Sequence, residues 1–104
     1  MFTGSLVLDV LLGDVRSLKD KRAVVRPLVA ELRRRFAVSA AEVGDANLHR
    51  RAEIGVAVVA GEPRHVTEVL DACERLVAAR PELVLLSARR QLISDTDEEY
   101  ATDV

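Results

Sequence analysis

SLVLDVLLGDVRSLKDKRAVVRPLVAELRRRF, residues 5–36, changes its hydrophobic period once, at Gly13-Asp14. Before that point Leu6, Leu8, Val10 and Leu12 fall on alternate positions, the period-2 signature of a strand with one buried face. After it Leu18, Val25, Leu28, Val29, Leu32 and Phe36 recur at helical spacing and share one arc. Ser17 stands where an N-cap belongs, with Asp20 three positions on in an approximate capping box. The stretch therefore reads as strand, tight turn and a helix running to about Phe36. Pro27 lies on the side of the helix away from the core arc, so the helix either curves around the sheet there or breaks and resumes through a 3₁₀ turn.

Working outward, AVSAAEV, residues 37–43, reads as a short strand closed by Gly44-Asp45. AEIGVAVVA, residues 52–60, is a stronger one, rich in β-branched residues. Gly61-Glu62-Pro63 fits a helix start with proline at the first helical position. Val66, Val69, Leu70, Cys73, Leu76 and Val77 then form one stripe, and Pro81 stops that helix after about Arg80. ELVLLSARRQLI, residues 82–93, is the last strand. The order β-α-β-β-α-β predicts an α+β, ferredoxin-like sandwich: a four-stranded antiparallel sheet with its first and third strands central and two helices on one face. Residues 1–94 form the single domain, and residues 95–104 are expected to be a mobile acidic tail, too poor in apolar side chains to pack.

A chain of 104 residues, 49% of them hydrophobic, suffices for one domain with a real core. No apolar run approaches the roughly 18 residues that a membrane helix requires, so no membrane partner is expected. The start lacks a basic segment and reads as a strand, not as a signal peptide. The single cysteine, Cys73, sits mid-stripe and is expected to be a buried small hydrophobe; a cytoplasmic location follows as the default. The chain contains no CxxC, GxGxxG or P-loop, and its histidines, His49 and His65, fall in different elements. No metal, no cofactor and no catalytic residue are expected, and the protein is read as non-catalytic.

Charge is the informative quantity. Residues 1–51 sum to +4 and residues 52–104 to -6. Eight of the fifteen Lys and Arg fall between Arg16 and Phe36. On the helical wheel Arg22, Arg33, Arg26 and Lys19 lie at about 40, 60, 80 and 100° from Leu18, a narrow ridge with no acid in its arc. Lys21 lies near the opposite edge of the apolar stripe. Like charges at i, i+4, such as Arg22 and Arg26, cost a few tenths of a kcal/mol. The ridge is either a solvated face or a polyanion-binding surface. On the second reading Lys19, Arg22, Arg26 and Arg33 contact phosphates, with Lys21 and Arg50 as further candidates, and structured RNA or the ribosome is the partner. The position of the 44–51 loop relative to the ridge does not follow from the sequence.

The sheet face away from the helices supplies the competing reading. Val7, Asp9 and Leu11 of the first strand and Ala57 and Val59 of the third should face outward, giving an aliphatic surface with one carboxylate. Such a surface suits self-association as a homodimer, or a ligand-sensing module. Asp9 then needs a partner, which Arg89 or Arg90 of the last strand could supply. The face has no mid-strand aromatic on which a base could stack, so RNA would be read through its backbone by the helix ridge.

SLKDKR after the first strand, FAVSAAEV, and LHRRAEIGVAVVA together resemble the YlxP-like family of small uncharacterised bacterial proteins, over residues 2 to about 93. The resemblance implies a ferredoxin-like fold in the bacterial cytoplasm and, through the translation-related genes that often neighbour the family's own, association with the ribosome or RNA. It carries no catalytic residues. The matching motif positions are Ser17, Leu18, Lys19, Lys21, Arg22, Ala41, Glu42 and Val43.

Overall fold

The computed structural model describes residues 1–96. Its elements are β1 (Phe2–Leu12), α1 (Leu18–Arg35), β2 (Ser39–Val43), β3 (Arg51–Ala60), α2 (Pro63–Ala78) and β4 (Leu83–Ser94). The strands form one antiparallel sheet in the order β2-β3-β1-β4. This is the ferredoxin-like arrangement, with β1 and β3 central and both helices on one face.

The alternation in β1 does what its period dictates. Leu6, Leu8, Val10 and Leu12 are fully buried against the helices, beside Ile54, Val56 and Val58 of β3. Val25, Leu28, Val29 and Leu32 close the core from α1, and Val66, Leu70, Cys73 and Val77 close it from α2. Each fully buried Leu contributes about 1.5–3 kcal/mol of transfer free energy. Burial pushes the Cys73 thiol pKa up, which suits an inert core residue. β1 begins earlier than its alternation indicates, because Thr3 and Gly4 are paired on both sides by β3 and β4. Gly4 faces α2 so closely that a Cβ there would sit 2.2 Å from Val66 Cγ1.

Ser17 caps α1, its Oγ accepting from the Asp20 amide at 3.1 Å. The helix passes through Pro27 without interruption. Pro27 and Ala23, whose carbonyl it leaves without an intrahelical donor, are both exposed, so water can take that bond.

One irregularity in β4 settles its faces. Asp9 pairs with Ser87 and Val10 with Leu85, so Leu86 is an extra residue in the ladder. Beyond it Arg90, opposite Leu6, lies on the helix side, where its Nη2 meets Asp71 Oδ1 at 2.7 Å and Glu74 Oε1 at 3.1 Å. Arg89, opposite Val7, lies on the open face. At the chain's ends, Asp95 is tied to β1. Its amide donates to the Met1 carbonyl at 3.0 Å, and its Oδ1 accepts from the terminal ammonium at 2.9 Å. Residues 97–104, most of the expected tail, lie outside the described residues.

Candidate polyanion interface

α1 carries two kinds of cation, separated by which way the helix turns them. Lys19, Arg22, Arg26 and Arg33 are exposed along one flank. That flank looks toward β2, the edge strand. A groove of about 350 Å³ between the two is lined by Val25, Arg26, Val29, Arg33, Ala41 and Glu42. Arg33 crosses it, its Nε donating to the Ala40 carbonyl at 2.8 Å. Lys19, Arg22 and Arg26 have no hydrogen-bond or ion-pair partner among the described residues.

Elsewhere Arg35, Arg51, Arg80, Arg89 and Arg90 each face a carboxylate. Arg35 and Arg80 share Glu31, whose carboxyl pKa they hold below the usual carboxylate value, Arg35 first and then Arg80. Arg51 holds Asp9 through two bonds, Nε to Oδ1 at 3.2 Å and Nη2 to Oδ2 at 2.6 Å. Arg90 takes Asp71 and Glu74, and Arg89 stands 3.9 Å from Glu53. Among the described residues Arg16, Arg34, Arg64 and Arg75 have no ion-pair partner, the two on α2 standing about three turns apart.

Lys21 is a correction to the expected site. It is 1% exposed and is the one buried charged residue among those described. Its Nζ donates to the Leu48 carbonyl at 2.6 Å and the Ala46 carbonyl at 3.2 Å, and lies 2.8 Å from Glu42 Oε2. The Glu42 contact is one of charge on charge, since Oε2 has no hydrogen bond of acceptable angle. A phosphate cannot reach this ammonium. The signal was present in the sequence: at 100° per residue Lys21 falls between Leu28 and Leu32, inside the core arc. Lys21 and Glu42 belong to the two motifs that carry the family resemblance, so part of that signature is a structural tie between α1 and β2. Arg50 is exposed, with its Nε donating to the Leu12 carbonyl at 3.3 Å.

The open sheet face also differs from its expected character. Val7, Asp9 and Leu11 are half-buried there, and Ala57 and Val59 are exposed. The partner of Asp9, however, is Arg51 of the neighbouring strand, not Arg89 or Arg90. Antiparallel pairing places Arg51, Glu53 and Arg89 on this face too, so it is a mixed surface crossed by ion pairs. Its apolar part is a shallow trough of about 260 Å³ lined by small residues, among them Ser5, Ser39, Ala41, Gly55 and Ala57.

Among the described residues, no group of three or more His, Cys, Asp or Glu could hold a metal ion. No described helix is long and apolar enough to cross a membrane.

The geometry defines a ferredoxin-like α+β domain with a cationic helix flank that faces no ion-pair partner among the described residues. Comparison with known proteins agrees at the level of fold. The chain is similar to a de novo designed protein with a ferredoxin fold solved by NMR, at 12% identity and a TM-score of 0.52, over 94% of this chain and 90% of the design. Residues 3–90 match a family described as "protein of unknown function (DUF503)", and the chain belongs to that family of uncharacterised proteins. No curated protein matches it.

Proposed function

We propose that this protein is a non-catalytic, cytoplasmic binder of structured RNA, including the RNA of the ribosome, through the exposed flank of α1. One observation supports the reading most: among the described residues Lys19, Arg22 and Arg26 share one helix flank and have no partner, whereas six of the other twelve cations face a carboxylate. Arg22 and Arg26 repel each other one turn apart, a cost that an external anion would relieve. From Lys19 to Arg33 the ridge runs about 20 Å at helical rise, long enough to follow several phosphates. With no aromatic on the open sheet face, recognition is of backbone shape.

Co-sedimentation with ribosomal particles at low and moderate salt tests the reading. The wild type is expected to pellet in a salt-sensitive manner, and the Lys19→Gln/Arg22→Gln/Arg26→Gln variant to stay in the supernatant. A wild type that does not bind at low salt removes the reading.

A second reading, self-association through the open face, draws on Val59, which is 61% exposed beside the small-residue trough. A dimeric mass by light scattering that becomes monomeric in Val59→Asp or Val7→Asp would support it, and a monomeric wild type would remove it.

A further inference from the structure

We propose that the loop joining β2 to β3, residues 44–50, forms the second half of the polyanion surface, and that Lys21 is the positioning residue that holds it beside the α1 ridge. This rests on the RNA reading and extends it from one helix flank to two elements. The Lys21 ammonium donates two hydrogen bonds and stands 2.8 Å from a third oxygen, its ion-pair partner. The two acceptors are carbonyls of this loop, at Ala46 and Leu48, and the third oxygen is that of Glu42, just before it. Lys21 is rooted in the first turns of α1, between Lys19 and Arg22 in sequence. Glu42 also lines the groove with Arg26 and Arg33, so the fastened loop leaves β2 directly beyond the groove of the ridge.

The loop has little else to hold it. Its other bonds run from Leu48 N to Asp45 O at 3.4 Å, from Asn47 N to Asp45 Oδ1 at 2.9 Å, from Leu12 N to Arg50 O at 2.7 Å and from Arg50 Nε to Leu12 O at 3.3 Å. Every residue from Gly44 to Arg50 is exposed. Asn47, His49 and Arg50 are thus offered to solvent just beyond Glu42, the end of β2 that borders the groove with Arg26. The loop's one acid, Asp45, accepts from the Asn47 amide. Arg50 spends only its Nε on Leu12 and keeps its terminal nitrogens for an anion.

Stability alone does not require lysine here. Position 21 faces the core arc, where a well-packed apolar side chain often serves a fold as well as a buried ion pair or better. An apolar side chain cannot hold two loop carbonyls. Placing the loop is the task for which a buried ammonium is suited.

The test is fluorescence anisotropy with a fluorescein-labelled RNA hairpin over a salt series. Lys21→Met/Glu42→Gln removes the latch, leaves net charge unchanged and takes away no exposed cation. It is expected to weaken binding several-fold and to make the salt slope shallower by about 1, the loss of one phosphate contact. Arg50→Gln should do the same, and the two changes together should do no worse than either alone. Hydrogen exchange of amides 45–50 should accelerate in the latch variant without RNA. A latch acting only on stability would lower the melting temperature and leave the salt slope as it was. If the latch variant does not fold, Arg50→Gln alone decides. Wild-type slopes in the latch and Arg50 variants, with binding lost in the Lys19/Arg22/Arg26 variant, would overturn the loop proposal and leave the ridge. A wild type that ignores the hairpin at low salt would overturn both.

Discussion

The two edges of the sheet treat positive charge in opposite ways. At the β4 edge Arg90 is held by Asp71 and Glu74, and Arg89 stands near Glu53. At the β2 edge α1 lines up Lys19, Arg22 and Arg26 with no ion-pair partner among the described residues, the Glu42 carboxylate there being taken by Lys21, and Arg33 meets a backbone carbonyl. Cations that have partners inside the chain contribute to holding the fold. Cations left without them contribute nothing to it and remain free for a partner of opposite charge. Lys21 belongs with the first group although it sits among the second in sequence.

That contrast gives predictions with different signs. The largest effect is expected for Lys21→Met, which leaves Glu42 without its partner and two loop carbonyls without their donor. It should cost about 3 kcal/mol in chemical denaturation, the scale for breaking a buried pair. A cost near zero would place Lys21 with the solvated cations. Arg90→Gln should cost about 1 kcal/mol or less, because that pair is partly exposed and screened. Neutralising Lys19, Arg22 and Arg26 together should reverse the sign. Removing like-charge neighbours should leave stability unchanged or raise it by about 0.2–0.5 kcal/mol, while abolishing polyanion binding. A clear loss of stability would mean that the ridge has structural partners and would dissolve the comparison.

Acid sharpens the contrast within α1 itself. Arg35 and Arg80 lower the Glu31 pKa, so the folded state binds this proton less readily than the unfolded chain does. The resulting stabilisation is fully present above the ordinary carboxylate pKa and is lost as pH falls through the lowered folded value. Melting temperatures should therefore fall with acidification, and Glu31→Gln should flatten that fall. Equal acid limbs in the two proteins would show that the Arg35–Glu31–Arg80 cluster contributes nothing measurable.

Element order was legible because hydrophobic period depends only on local geometry. Leu6 through Leu12 could alternate into a core only as a strand, and Val66 through Val77 only as a helix. Pro27 left two outcomes open, and the uninterrupted helix follows from its exposure. The candidate site was less legible. A helical wheel ranks residues by angle, and an angle does not say whether a lysine at the core arc points out past it or finds oxygen inside. Lys21 found three oxygens, two of them on a loop more than twenty residues away. Asp9 likewise needed a partner on physical grounds, but which arginine served depended on register, and the extra residue at Leu86 fixed the faces of β4 beyond it.

The sequence by itself determined the β-α-β-β-α-β order, the core stripes, the buried Cys73 and the concentration of cations on the first helix. Each is set by residue type and spacing along a few turns or one strand. Only the tertiary structure decided which cations are free, which arginine neutralises Asp9 and where the 44–50 loop lies. Those outcomes depend on which side chains meet across elements distant in the chain, and such meetings are fixed by sheet register and helix packing, which no local period encodes.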